Sequence, residues 1–366
     1  MSGKPRIAVV MGGRSSEHEI SLASAASVLE ALEGEGYETV TVEIGRDGRW
    51  ALGAGRSAIE SNRLSLAEES APEGEDEPSN SLLLERAGGG ETLPVPAADG
   101  AVPAALAAVD VVLPLLHGPF GEDGTVQGLL ELADVPYVGP GVAASALCMD
   151  KDLFKKVLRD SGIPVARHHA IRLKDEIANP FGYPVFVKPA RLGSSIGITK
   201  AHNEGELERA VALAREHDEK VLIEEFVAGT EVECSVLGNL DTPPIASLVG
   251  EIVANAEWYD YSAKYDEGGM DLIVPARIPE ETARRVQDVS VQAFVASECE
   301  GMARADCFVR EDGEVIVNEL NTIPGFTATS VYAKLFEASG ITYPELLERL
   351  IQLALERHER RSRLKY

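Results

Sequence analysis

Cationic side chains are scarce in this chain. Its 34 Lys and Arg stand against 60 Asp and Glu, a formal net charge of -26 over 366 residues. That excess repels phosphate backbones and anionic lipid headgroups, which argues against nucleic acid or a membrane as partner. It leaves room for a local basic pocket that takes a small anion. Cysteine is sparse too: Cys148, Cys234, Cys299 and Cys307 show no CxxC spacing and lie in apolar or amphipathic segments. Buried, reduced thiols are the expectation, as in a cytosolic protein. Long hydrophobic runs are lacking, since the most apolar region, Ala97 to His117, is broken by Asp99, Pro103, Asp110 and Pro114. The opening MSGKPRIAVVMGG has too short an apolar part, and no cleavage-site pattern, for a signal peptide. The expected compartment is the cytoplasm.

What is present is an ordinary globular composition, 45% apolar and 26% charged. The length exceeds what one hydrophobic core usually organises, so two or three domains are expected. A strand at Arg6 to Met11, a helix and a second strand at YETVTVEI imply a parallel, doubly wound sheet. Ser16 and Glu19 have capping-box spacing, and Ile20, Leu22, Ala26, Leu29 and Leu32 form the expected buried stripe before Gly34 stops the helix. From about Arg46 to Gly100 the chain is acidic and rich in Pro, Ser and Gly, a surface excursion with room for a short hairpin. Regularity returns at DVVLPLLH and the helix TVQGLLELADV. The run GVAASALCMDKDLFKKVLRDSG reads as one helix ended by Gly162. The expected domains are 1–144 (α/β), 145–229 (hairpins and helices) and 230–366 (mixed or antiparallel sheet), so the class is α/β with α+β parts.

The stretch KPARLGSSIG, Lys188 to Gly197, has the glycines, hydroxyls and cations of a phosphate loop. The order is wrong for a P-loop, in which the lysine follows the glycines. In ARADCFVREDGEVIVNELNTIPG, two alternating strands meet at Asp312-Gly313, a signal for a two-residue turn. That register places Asp306 opposite Glu319 and Arg304 opposite Asn321 on one face. Opposed carboxylates repel, and a divalent cation such as magnesium would relieve this. The plainer alternative is that Arg304 neutralises the pair on a solvated face. Cys307, Val309, Val315 and Val317 mark the other face as buried. In NTIPGFTATS, Gly325 offers a backbone N–H for close approach, and Ser330 is either a ligand donor or a helix cap. EWYDYSAKY sets Lys264 beside Tyr265 in a loop suited to closing over a site. LHGPFGEDG and GGRSSEHEISL each follow a strand, where doubly wound sheets bind ligands, so His117 and Glu17 can share one cleft.

In combination and order, GGRSSEHEISL, LHGPFGEDGTVQG, MDK, VFVKPARLGSSIGI, EEFVAGTE, YDYSAKY, ARADCF and NELNTIPGFTATS resemble the D-alanine–D-alanine ligases of the ATP-grasp superfamily. The resemblance implies a three-domain, homodimeric cytoplasmic enzyme of peptidoglycan synthesis that makes a dipeptide through an acyl phosphate and a tetrahedral intermediate. It implies ATP as substrate, two Mg2+ or Mn2+ ions, and room for a monovalent cation. By motif, Lys151, Lys188 and Lys264 resemble the residues that hold the phosphates. Ser194, Ser195, Glu225, Glu224 (adenine) and Glu231 (ribose) resemble further nucleotide contacts. Asp306, Glu319 and Asn321 match the metal ligands, and Arg304 with the Gly325 N–H the oxyanion hole. Glu17 and His117 match the site of the first D-alanine, and Ser330 that of the second substrate's carboxylate. Ser194 and Tyr265 resemble the partners that link to Glu17 and close the loop. KPARLGSSIG then carries two tasks: Lys188 holds ATP, and the Gly193–Gly197 turn covers the phosphates while Ser194 faces the amino acid. Ser262 departs from the family's glutamate in YDYEAKY. Lys264-Tyr265 favours an amine over D-lactate as second substrate. D-serine and another ATP-grasp phosphotransferase or carboxylate–amine ligase remain as alternatives.

Overall fold

Every residue of IAVVMG except its glycine is apolar, the pattern of a strand covered on both faces. In the computed structural model, which describes residues 3–52, 83–84, 93–94, 108–254 and 270–365, it forms β1 (Ile7–Gly12), buried throughout. Helix α1 (His18–Gly34), β2 (Thr39–Ile44) and β3 (Trp50–Leu52) follow. Within the acidic excursion, β4 (Leu83–Leu84) and β5 (Leu93–Pro94) pair antiparallel, the short hairpin. With β6 (Val111–Pro114) the first sheet has the order β3-β2-β1-β6; β2, β1 and β6 are parallel. Helix α2 (Thr125–Leu132) packs Val126 and Leu130 on one face, and α1 packs Val28, Leu29 and Leu32 on the other. The sheet is doubly wound.

The Ser16–Glu19 capping box does not form. Glu17 is the N-cap of α1 and makes no side-chain cap bond. Ser15 explains the shift: its Oγ accepts from the Glu17 N–H at 3.2 Å and donates to the His117 carbonyl at 2.7 Å. Leu29 and Leu32 of the expected stripe are buried, whereas Ile20, Leu22 and Ala26 are only half-buried. A second correction concerns the run from Gly141 to Gly162, which forms two helices, α3 (Val142–Met149) and α4 (Lys151–Asp160). Between them Asp150 is extended; its Oδ1 accepts from the Leu153 N–H at 3.1 Å, and its carboxylate binds Lys220 Nζ at 2.5 and 2.8 Å. An Asp cap and a buried ion pair outweigh one more helical turn. The break puts Lys151 at the first position of α4.

The middle of the chain forms an antiparallel sheet of order β7-β10-β8-β9, from β7 (His168–Arg172), β8 (Val185–Pro189), β9 (Thr199–Ala201) and β10 (Lys220–Glu225). Helix α5 (Glu204–Arg215) covers it with Leu207, Ala210, Val211 and Ala214. The last sheet is also antiparallel, in the order β13-β12-β11-β14-β15. Its strands are β11 (Thr230–Gly238), β12 (Ile245–Ala254), β13 (Met270–Ile273), β14 (Gly301–Val309) and β15 (Val315–Asn321). Helix α6 (Glu280–Ala296) covers one face, and α7 (Val331–Ala338) precedes α8 (Tyr343–Ser362). Leu346, Leu347, Leu350 and Ile351 of α8 join Ile7, Val9 and Leu29 in one core, so the chain's end packs on its first sheet.

The β14–β15 hairpin has the expected pairs, Arg304 with Asn321 and Asp306 with Glu319, by a different route. Its turn is longer than two residues: Val309 pairs with Val315, so residues 310–314 form the loop, closed by the Arg310 N–H to the Glu314 carbonyl and the Gly313 N–H (φ +80°) to the Arg310 carbonyl, both at 2.9 Å. A bulge then restores the register, because Cys307 pairs with Val317 and Asn318 is the extra residue. Strict alternation would place Val315 and Val317 on the face of Glu319 and Asn321. The bulge lets the valines enter the core while the polar pair turns away. Asp150→Ala should cost about 2–4 kcal/mol, from loss of the cap and a buried partner of Lys220. The urea unfolding midpoint measures this, and an unchanged midpoint contradicts it.

Candidate active site

Between the second and third sheets lies a cleft of about 360 Å³. Lys151, Lys188, Ser194, Ser195, Glu224, Glu225, Glu231, Asp306 and Glu319 all line it. They come from the start of α4, the end of β8, the turn after it, β10, β11 and the β14–β15 hairpin. Lys188 Nζ donates to Glu224 Oε1 at 2.6 Å, and Lys155 Nζ lies 3.0 Å from Glu224 Oε2. Burial opposes the charged form of Glu224, but the two ammoniums prevail and hold its carboxyl at about 2. Glu225 turns its carboxylate to the Arg167 backbone N–H and Nε, both at 2.8 Å. Lys151 Nζ donates to the Leu192 carbonyl at 2.9 Å and lies 3.3 Å from Glu319 Oε2. This couples the helix start to the turn 192–197 and to the hairpin.

Arg304 binds Asp306 in a two-pronged pair at 2.7 and 2.8 Å, and its Nε lies 2.8 Å from Glu233 Oε2. Burial works against this guanidinium, but Asp306 and Glu233 keep it charged, well above its ordinary pKa. Asn321 Nδ2 donates to Asp306 Oδ2 at 3.0 Å. The cluster is walled by the cleft rather than lying on a solvated face, because Asp306 and Arg304 are buried. Glu233, Asp306 and Glu319 outnumber Arg304 and Lys151 by one charge. Carboxylate and amide oxygens are the hard donors that suit a divalent cation such as magnesium or manganese, although among the described residues no three carboxylates are grouped as a ready metal cluster. A carboxylate accepts up to about four bonds, so Asp306 retains capacity beyond Arg304 and Asn321.

Glu17 is buried where three loops meet. Its Oε1 accepts from Ser194 Oγ, and a Cβ on Gly193 would lie 3.5 Å from its Oε2. Gly118 (φ +72°) packs its Cα so close that a Cβ there would overlap Glu17 Oε2. Ser194 and Ser195 are both left-handed (φ +53° and +57°), an uncommon conformation for serine that the Glu17 bond helps hold. His117 is buried; its Nδ1 is 2.9 Å from the Ile323 carbonyl and its Nε2 is 3.3 Å from Ser24 Oγ. Ser330 is the N-cap residue of α7 by position but makes no cap bond. Its Oγ instead accepts from the Thr327 N–H at 3.0 Å and lies 3.3 Å from where a Gly325 Cβ would be. The structure thus brings Glu17 and Ser194 into contact, links the His117 backbone to Glu17 through Ser15, and sets Gly325 beside Ser330. The hydrogen bond from His117 to Ile323 ties the first set to the loop that carries the second.

Comparison with known proteins bears on the chain as a whole. Models described as "D-ala D-ala ligase N-terminus" and "D-ala D-ala ligase C-terminus" match residues 6–140 and 157–352. The chain belongs to the D-alanine–D-alanine ligase family. A D-alanine–D-alanine ligase of Streptomyces avermitilis is 45% identical over 97% of this chain and 95% of its own. The VanG D-Ala:D-Ser ligase of Enterococcus faecalis superposes with a TM-score of 0.78 at 35% identity, covering 96% of this chain and 100% of that one. A D-alanine–D-alanine ligase of Bacillus anthracis, complexed with ATP, superposes at 0.72 and 26% identity, covering 98% and 100%. The ATP-grasp fold and the ligase class are therefore those of the family.

Within this ligase fold, Lys264, Tyr265 and the departure at Ser262 lie outside the described residues. Four residues in or beside the site escaped the sequence reading. Glu233 shares a strand face with Glu231 by period two, a signal that was available. Glu122, in GEDG, accepts from the Gly118 N–H and the Ile323 N–H, both at 2.9 Å. Burial and the nearby Glu17 raise its pKa. Lys155 lies one turn beyond Lys151 on the same helix face, and Asn318 is visible only through the bulge.

Gly118→Ala forces a side chain onto Glu17 at a left-handed position and should lower kcat/KM at least about tenfold. Steady-state kinetics with D-alanine and ATP check this; kinetics like those of the parent contradict it. Glu224 has a folded pKa lowered from 4.5 to about 2, so its stabilisation is complete above pH 4.5 and is lost as pH falls toward 2. Glu224→Gln should remove a dependence on the order of 3 kcal/mol in that window, read from urea midpoints against pH. Identical slopes for variant and parent contradict it.

Proposed function

We propose that this chain joins two D-alanine molecules at the expense of ATP, to form the D-alanyl-D-alanine of cell-wall precursors. The observation that carries the reading is Ser194, whose turn lines the cleft beside Lys151 and Lys188 while its hydroxyl binds Glu17. One short turn therefore joins the place where a phosphoryl group would sit to the place where an ammonium would be held.

In this reading Lys151 and Lys188 neutralise the ATP phosphates, and Glu231 meets the ribose hydroxyls. Glu224 keeps lone pairs for the adenine amino group beyond those its two lysines occupy. Ser195 and Glu225 contribute to the same wall. Two magnesium or manganese ions, held by Asp306, Glu319 and Asn321, would neutralise charge on the transferred phosphoryl group. Glu17 holds the ammonium of the first D-alanine beside His117, which fixes the direction of its carboxylate. That carboxylate attacks the γ-phosphorus and ADP leaves. The second D-alanine, its carboxylate at Ser330, attacks the acyl carbon with its amine. Arg304 and the Gly325 N–H stabilise the oxyanion, and phosphate departs with the oxygen it took from the substrate. Phosphoryl transfer of this kind needs positioning and charge neutralisation rather than a protein nucleophile. Roles for Lys264 at the transferred phosphate and Tyr265 in loop closure rest on the resemblance.

The three sheets support domains at 1–144, 145–229 and 230–366, with α8 returning to the first. A homodimer in the cytoplasm agrees with the family resemblance, and no described helix is long and apolar enough to cross a membrane. The structural likeness to a D-Ala:D-Ser ligase makes D-serine the second substrate to exclude, because one hydroxyl is a small difference for a pocket to reject. Purified protein with ATP, Mg2+ and D-alanine should release phosphate and dipeptide in equal amounts, and D-alanine should outcompete D-serine. Phosphate without dipeptide, or equal use of L-alanine, defeats the reading. Glu319→Gln should lose about 99% of turnover and remain folded; near-normal turnover removes Glu319 from the metal site.

A further inference from the structure

Lys155 is among the largest side chains with no exposure at all, in a position where an amphipathic helix would ordinarily carry a solvated lysine. Burying an ammonium is costly unless partners compensate. It has two partners here, from different parts of the fold. Its Nζ donates to the Asn318 carbonyl at 3.0 Å and lies 3.0 Å from Glu224 Oε2. Asn318 is the extra residue of the β15 bulge, whose other side meets Lys188 Nζ through Oδ1 at 3.5 Å.

That location matters because the bulge decides which way the following residues point. With it, Val317 faces the core and Glu319 the cleft; without it, strict alternation would put Glu319 and Asn321 on the valine face. A bulge leaves its extra residue unpaired in the ladder, so its carbonyl needs another donor. Lys155 supplies that donor. Glu224 then keeps the ammonium charged and aimed, although burial pushes its pKa down. We propose that Lys155 is a positioning residue for the divalent-metal ligands: by holding the Asn318 carbonyl it fixes the bulge that turns Glu319 and Asn321 into the cleft. Lys155 meets neither nucleotide nor amino acid in this scheme, and it acts through the strand. The inference rests on the reading of Asp306, Glu319 and Asn321 as the metal site.

The sign of one measurement separates positioning from simple electrostatics. Removing a nearby positive charge would, by Coulomb's law alone, tighten binding of a cation. Loss of positioning weakens it. Mn2+ binding is therefore titrated by electron paramagnetic resonance in the presence of ADP, alongside hydrogen exchange of the peptide spanning 315–321. Lys155→Met should bind Mn2+ at least about tenfold more weakly, the scale of losing a residue that orients a metal ligand. Its 315–321 amides should exchange faster while those of β11 do not change. The double variant Lys155→Met with Glu224→Gln removes both buried charges, which keeps the protein foldable if the single variant is not. At ADP concentrations that saturate each variant, it should also bind Mn2+ more weakly than Glu224→Gln alone, because the Asn318 carbonyl still lacks its donor. Parent-like or tighter Mn2+ binding in whichever folded variant is tested overturns the proposal. A Glu319→Gln variant that binds Mn2+ as the parent does overturns the metal-site reading itself, a separate outcome from failure of the Lys155 claim alone.

Discussion

Everything in the cleft depends on balancing charge that has been taken out of water. Glu224, Glu233, Asp306 and Glu319 line one space, and Lys151, Lys155, Lys188 and Arg304 are set among them. None of these groups would be tolerable there alone. Paired, they hold one another in fixed directions before any substrate arrives. Such preorganisation is what a phosphoryl transfer requires, since its transition state gains from charges already in place. The fold serves that balance: α4 brings two lysines, β8 one, β10 and β11 the glutamates, and the β14–β15 hairpin the remaining carboxylates.

The second constraint is continuity between two sites. Glu17 begins a helix on the first sheet, whereas Ser194 belongs to a turn of the second. His117 and Glu122 reach in turn to both main-chain groups of Ile323, on the loop leading to Gly325. Three parts of the chain are thereby locked around one small volume. The return of α8 to the first sheet reinforces this, because the core beneath Glu17 contains residues from both ends of the chain.

Much of this was legible in the sequence, and the exceptions have physical causes. Pairing of Asp306 with Glu319 matches the sequence reading only because two departures cancel: the turn is longer than Asp312-Gly313 signals, and the bulge at Asn318 restores the register. The parity of Val315 and Val317 against Glu319 and Asn321 already required an irregularity, but only packing decides where it falls. Asp150 was hidden inside an amphipathic run; its capping role depends on Lys220, far along the chain. Lys155 was invisible for a similar reason, as a lysine on a helix reads as solvated until a distant glutamate neutralises it. Ser330 stood between capping and binding, and its hydroxyl, turned toward Thr327, makes no cap bond.

The central claim is that this cleft transfers a phosphoryl group to a substrate carboxylate, and that the bond formed next is a peptide bond. Isotope tracing tests it directly. D-alanine labelled with 18O in its carboxylate is turned over with unlabelled ATP, and the released phosphate is analysed by mass spectrometry. The account predicts one labelled oxygen in each phosphate formed, carried out of the acyl phosphate when the amine displaces it. Phosphate free of label would contradict it, because the oxygen must then have come from water or from ATP.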